Sequence, residues 1–327
     1  MPEDPRERVP AAGDEPTADD LHRAERAMDH GHETNGNGAA MAAVRNISHI
    51  ATLPEVTVRI IDLVEDPGSS ARDMHHLISS DPALTARMLK VVNSAFYGLP
   101  RQIASINRAV SLLGLNAVKN IAIAASLAKL FRGGSLGSHF DAQRLWTHSC
   151  VTASAAGAVA RLSGRTGIAD EAFLAGLVHD VGILVELQHD RDRLALAIQE
   201  ASEGSDFREA EMRNLGASHE RFGAVLCEHW KFPSSLVWVV GHHHDPMAVP
   251  VANRDLPGIV HVADHLAGEV AGGFTLDLDG QGPRPEVLEA LQLDAAALAD
   301  LREQRSEEHT SELQSRQYLV CRLLLEK

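Results

Sequence analysis

Residues 171–187 read EAFLAGLVHDVGILVEL, an apolar segment in which Phe173, Leu174, Leu177, Val178, Val181, Leu184 and Val185 surround one adjacent polar pair, His179-Asp180. A segment that is apolar on all sides belongs in the interior of a helical protein. An ionised Asp placed there costs several kcal/mol unless it is paired, hydrogen-bonded or bound to a metal. Taken alone, the dipeptide reads first as a buried His–Asp hydrogen bond. An adjacent imidazole and carboxylate also approach a metal from slightly different directions, so further donors elsewhere would change that reading.

On both sides of this segment the pattern is helix after helix from Ile47 onward, punctuated by Pro and Gly, with no alternating Val/Ile/Thr runs of the kind that make strands. The fold class expected is all-α. Pro54 is placed to open a helix carrying Val56, Ile60, Ile61 and Val64, which Asp66-Pro67-Gly68 closes. Asp81-Pro82 repeats the opening signal ahead of the stripe Leu84, Met88, Leu89 and Val92, and Ser105 and Asn116 read as further caps. The most apolar run, around Ile121 to Phe131, contains Lys129, follows Lys119 and is too short to cross a bilayer. Between about 141 and 268 the apolar stripes are broken by His148, His219, His242-His243-His244 and Asp264. Helical bundles build metal sites by contributing one or two inward ligands per helix, so the wide spacing of these donors is no objection. His219 sits near a helix start, where the positive dipole end favours the neutral imidazole that binds a metal.

Composition narrows the field. The 327 residues carry 30 Lys plus Arg against 45 Asp plus Glu, a formal charge of −15, so a nucleic-acid partner is not expected. Residues 1–45 are rich in Pro, Gly, Asp, Glu and Ala and read as a disordered acidic tail, in which His22, His30 and His32 are taken as solvated. The first residues lack a basic start followed by an apolar run, so the expectation is a cytoplasmic protein with no membrane partner. Cys150, Cys227 and Cys321 are too far apart for a disulfide framework and read as buried small residues. The final stretch is different: RSEEHTSELQS at 305–315 resembles the conceptual translation of a sequencing-adapter oligonucleotide. Residues 305–327 are set aside on that ground, with an authentic helix at YLVCRLLL as the alternative.

The order His148, His179-Asp180, His219, His243-His244, Asp264 resembles the metal-ligand series of the HD superfamily of phosphohydrolases. More specifically, the chain resembles the HDOD domain, the HD-related output domain of bacterial signalling. The resemblance runs from about Ile47 to Asp264. It rests on LPEVTVRIIDL, on S-D-P-A-L-T at 80–85, N-S-A-F-Y-G at 93–98, A-V-S-L-L-G at 109–114 and L-V-H-D-V-G at 177–182. It rests further on His219-x-x-x-Gly223 with Trp230 and Pro233, and on His243-His244-Asp245-Pro246. It implies an N-terminal helical subdomain (46–138) packed on an HD-like subdomain (139–250), with helices at 251–304 completing the second bundle. Carried over by position, His148, His179, Asp180, His219, His243, His244 and Asp264 match ligand positions of catalytic relatives. They imply one or two divalent ions (Fe, Mn, Mg or Zn), with Asp180 as the natural bridging carboxylate. His242 is then the spare histidine, and His261 and His265 lie at the surface or around the ligands.

Departures from the catalytic HD-GYP branch matter as much. Ile183 stands where those enzymes carry lysine, Arg144 where trinuclear members place a glutamate, and the G-Y-P signature is missing. These losses argue against a third metal and against cyclic-di-GMP hydrolysis. The function implied is a regulatory signal-transduction module that binds a signalling protein or a small anionic ligand. The alternative is a divalent-metal phosphohydrolase acting on a nucleotide or phosphodiester. Asn93 to Tyr97 read as a tight helix end, with Phe96 and Tyr97 as wedges. Arg87, Lys90, Arg101, Arg108 and Lys119 read as solvated helix faces rather than a ligand site.

Overall fold

Side chains make the helix starts. In a computed structural model describing residues 36–47, 55–65, 68–93, 101–128, 130–131, 134–136, 140–269, 274–278, 280–299 and 301–302, Asp81 accepts from the amides of Ala83 and Leu84 at 2.9 Å each. Those amides have no partner inside the helix, and Pro82 in the first turn has none to leave over. Ser70 and Asp73 form a reciprocal capping box, and Ser105 accepts from the Arg108 amide as expected. Asn116 is a correction. It lies inside the first turn of its helix, which follows Gly114 with no side-chain cap, the glycine's φ of 85° making the turn instead.

Helices α2 (Glu55–Glu65), α3 (Ala71–Ser79), α4 (Pro82–Val92), α5 (Ile106–Leu113) and α6 (Leu115–Leu127) form the first bundle. The run read as too short for a membrane begins in α6, which is buried from Ala117 to Leu127 apart from Lys119. It packs on α2, α4 and α5 and also on α8 (Ala169–Val178), so the first bundle shares one core with the second. Among the described residues no helix is long and apolar enough to cross a membrane. Asn93 closes α4: its Nδ2 donates to the carbonyls of Leu89 and Ile103 (2.8 Å each), and the Ile103 amide donates back to Oδ1 at 2.5 Å. Phe96 and Tyr97 lie outside the described residues. Lys90, Arg101 and Arg108 are exposed, and Arg87 and Lys119 are half-buried.

The second bundle contains α7 (Ala142–Leu162), α8, α9 (Val181–His189), α10 (Arg191–Ser202), α11 (Phe207–Leu215), α12 (His219–His229), α13 (Ser234–His242), α14 (Asp255–Gly268) and α15 (Pro285–Leu291). The α7 helix lies along α8 and α14, while α12 lies along α9 and α13. Two close approaches set this packing. A Cβ on Gly176 would meet the Ala153 backbone at 2.8 Å, and one on Gly223 would meet a Val240 methyl at 2.4 Å.

One expectation needs correcting here. The sequence reading ends the acidic tail at residue 45, but residues 36–46 form a helix, α1, that buries Ala40, Ala43 and Val44. Alanine carries so little apolar surface that this face leaves no hydrophobic period. A minimal antiparallel pair also occurs, Ser135 opposite Asp141 and Leu136 opposite Phe140, though the architecture is all-α. Cys150 and Cys227 are buried as expected. The tail histidines, Pro54, Cys321 and residues 305–327 lie outside the described residues.

Candidate metal centre

The seven donors singled out in the sequence meet in one place. His148 comes from the middle of α7, His179-Asp180 from the break between α8 and α9, and His219 from the first turn of α12. His243 and His244 follow the end of α13, and Asp264 lies on α14. His148 Nε2 is 2.8 Å from Asp264 Oδ1, and His179 Nε2 is 3.5 Å from the same oxygen. Asp180 reaches both halves of the cluster. Its Oδ2 is 3.1 Å from His179 Nε2 and 3.7 Å from His148 Nε2, and its Oδ1 is 3.4 Å from His243 Nε2 and 3.9 Å from His219 Nε2. On the far side His219 Nε2 and His244 Nε2 are 3.2 Å apart.

The outer ring nitrogens explain why the Nε2 atoms face inward. His179 Nδ1 donates to the Gly176 carbonyl at 2.8 Å, and His243 Nδ1 donates to the Val240 carbonyl at 3.2 Å. His219 Nδ1 donates to both oxygens of Glu211 at 2.9 Å. With Nδ1 engaged as a donor, Nε2 is the nitrogen left to face the interior, the arrangement that orients metal-binding histidines. His261, expected at the surface or around the ligands, is buried and does the latter. Its Nδ1 donates to the His243 carbonyl at 2.8 Å while its Nε2 accepts from the Arg284 amide at 3.2 Å, which fixes the backbone between two donor histidines. Burial, helped by the charge of His265, lowers its pKa to about 4 and keeps the ring neutral. His242 lies against Trp238.

Electrostatics corrects the expectation for His219. Burial alone pushes its pKa down, as the helix start does, but the charge and hydrogen bonds of Glu211 overcome both and raise it to about 10. Burial and the charges of His243 and His219 hold His244 well below the ordinary histidine range. Burial opposes ionisation of Asp180 and Asp264, yet neighbouring histidines hold both carboxyls well below the usual range.

Three carboxylates that the sequence reading left out belong here. Glu211, from α11, is buried behind His219. Glu186 on α9 is buried too, and its pKa is raised well above the ordinary value by burial and by the nearby Glu211 charge. Asp277, in the turn beyond α14, brings Oδ2 to 3.6 Å from His244 Nε2.

The donor set suits a divalent cation. His179 Nε2, His243 Nε2, both oxygens of Asp180 and both of Asp277 are buried with no hydrogen-bond partner. Buried polar atoms are ordinarily satisfied, and imidazole nitrogen with carboxylate oxygen is the ligand chemistry of Zn, Fe and Mn. Three groups bring one donor atom from each member within 4.8 Å of one another: His148, His179 and Asp264; His179, Asp180 and His243; and His219, His243, His244 and Asp277. These buried groups can hold a metal ion.

Comparison with known proteins agrees with this fold. A family model described as HDOD domain matches residues 50–246. The chain superposes on the crystal structure of an HDOD domain protein of unknown function from Geobacter sulfurreducens with a TM-score of 0.70 and 26% identity, covering 90% of this chain and 99% of that one. A candidate signal transduction protein from Marinobacter aquaeolei VT8 gives a TM-score of 0.69 at 23% identity over 90% of this chain and 67% of that one, a likeness of fold. A curated relative in Treponema pallidum (strain Nichols), an uncharacterized protein, is 24% identical over 235 residues, 71% of this chain and 45% of the relative. The chain therefore spans less than half of that relative's length.

Proposed function

The chain belongs to the HDOD domain family, and from that premise we propose that it is a bacterial signal-transduction module whose metal site is regulatory. It would act by binding a signalling protein or a small anionic ligand. Burial of the donors carries this reading: His148, His179, Asp180, His219, His243 and Asp264 are each at most 1% exposed. A phosphodiester has to touch the metal that activates its attacking water, so the regulatory reading requires the ion's remaining coordination positions to be closed by protein as well. Ile183, where catalytic relatives carry lysine, is itself fully buried. Arg208, whose charge reaches His244, is paired through its Nε with Glu220 at 2.8 Å.

His148, His179, Asp180 and Asp264 would hold one ion, and Asp180, His219, His243 and His244 a second. When bound, such ions supply Lewis acidity and lower the pKa of a coordinated water. The completeness of this set favours the alternative, a divalent-metal phosphohydrolase. Anaerobic purification, elemental analysis and a phosphodiester screen with bis(p-nitrophenyl) phosphate and nucleotides separate the two. The regulatory reading expects stoichiometric metal, lost in His179→Ala/Asp180→Ala, and no turnover. Hydrolysis that disappears in the same variant overturns it in favour of the enzyme.

A further inference from the structure

Asp277 comes from no helix. It lies in the TLDLD run beyond α14, where an acid looks like one more solvated turn residue. Yet its side chain is fully buried, neither oxygen has a hydrogen-bond partner, and Oδ2 stands 3.6 Å from His244 Nε2. The segment carrying it is anchored on both sides. Three residues earlier, Phe274 packs edge-on against Phe140 and Phe207, with ring centroids at 6.0 and 5.8 Å. Phe207 in turn stacks on the His219 ring. One residue later, Leu278 lies so close to Gly268 that a Cβ there would meet its methyl at 2.2 Å. This packing fixes Asp277 over the His219, His243 and His244 face.

A carboxylate held without a hydrogen bond, in a core that already contains Asp180 and Asp264, is an energetic cost that a cation removes. Its oxygen and the nitrogens of His219, His243 and His244 lie within 4.8 Å of one another. Structural zinc sites are closed by protein donors, while catalytic ones keep a position for water or substrate. We propose that Asp277 is a direct protein ligand of the ion held by His219, His243 and His244, and that it occupies the coordination position a substrate oxygen would need. The proposal rests on the regulatory metal reading above and gives it a physical cause: the second metal position is capped from within the chain.

Cobalt titration of the metal-free full chain tests this, with Asp277→Asn and Asp277→Cys beside the wild type and thermal melts to verify folding. In Asp277→Asn, one cobalt equivalent is expected to weaken by at least the ~10–100-fold that loss of even an outer partner costs, while the other is retained. Cobalt-loaded Asp277→Cys is expected to show a near-ultraviolet thiolate-to-cobalt charge-transfer band that the wild type lacks, which places position 277 on the metal. Wild-type affinity for both equivalents in Asp277→Asn, with no band in Asp277→Cys, overturns the ligand role while the metal site stands. A wild-type chain that binds no cobalt overturns the metal reading itself and the proposal with it. If Asp277→Cys fails to fold, the isosteric Asp277→Asn titration decides alone.

Discussion

A Cβ placed on Gly182 would lie 1.8 Å from the carbonyl oxygen of His219, so α9 and α12 meet at a separation that only glycine allows. The same contact positions both donor segments, since Gly182 is two residues from Asp180 and His219 opens α12. Gly182→Ala must therefore separate the two halves of the cluster. Overpacking a core by one methyl typically costs about 1–3 kcal/mol, and a backbone clash this short sits at or above the upper end. Urea denaturation should show a loss of that size together with lost metal binding. Gly167→Ala, at a position where a Cβ meets nothing within 4 Å, should change neither. A Gly182→Ala protein as stable as the parent would mean that the helices slide freely at this contact.

Asn93 links the end of α4 to Ile103 through three hydrogen bonds, two of them made from one amide nitrogen. Asn93→Ala leaves the Ile103 amide without its acceptor, a loss of about 1–3 kcal/mol for a buried group. The expected result is a lower urea midpoint with metal stoichiometry unchanged, because the residue belongs to the first bundle. Metal loss in this variant would mean that the two bundles are coupled more tightly than their shared α6–α8 packing implies.

His219 gives the site a pH dependence that can be isolated. Its folded pKa of about 10 lies above the ordinary value of 6.5. In the metal-free chain its stabilising contribution is fully present below about pH 6.5 and is lost as pH rises through about 10. A metal has to displace that proton, so metal affinity should rise with pH over the same window. Glu211→Gln removes the carboxylate that holds the proton. Calorimetry at pH 8 in buffers of different ionisation enthalpy should therefore register fewer protons released by Glu211→Gln than by the parent. Equal release would show that Glu211 only positions the ring.

The fold was legible because its signals are local. Asp81-Pro82, Ser105 and the apolar run of α6 each act through neighbours in sequence, and the structure uses them as read. The seven donors were legible as an ordered set, and the fold brings all of them together. What stayed hidden depends on distance or on small side chains. The buried face of α1 is made of alanines. Asp277 is burdened by burial only because Phe274 and Leu278 fasten its turn, and no spacing records that. Glu211 sits on a helix with ordinary charged residues on its outer face. Glu186 did carry a signal: an acid inside VGILVEL is as costly as Asp180 inside LVHDVG, and the argument that singled out one applies to the other.

Metal linkage offers the last test, and here the double variant separates cost from use. Asp180 places both oxygens among four imidazoles with no hydrogen bond to either. Removing one partner from such a buried set leaves the other uncompensated, and only apolar groups of similar volume replace both at little cost. Alanine fills less volume than either buried side chain, so His179→Ala/Asp180→Ala in metal-free form should melt below the metal-free parent by the cavity it leaves, and the deciding comparison is each protein with and without ion. The parent should then gain stability on adding Zn²⁺ or Mn²⁺, by about 2.7 kcal/mol when the free ion is 100 times its Kd, and lose it again to chelator. The double variant should gain nothing. A metal-free parent that does not respond to any of these ions would instead make the pair a structural hydrogen bond of the core.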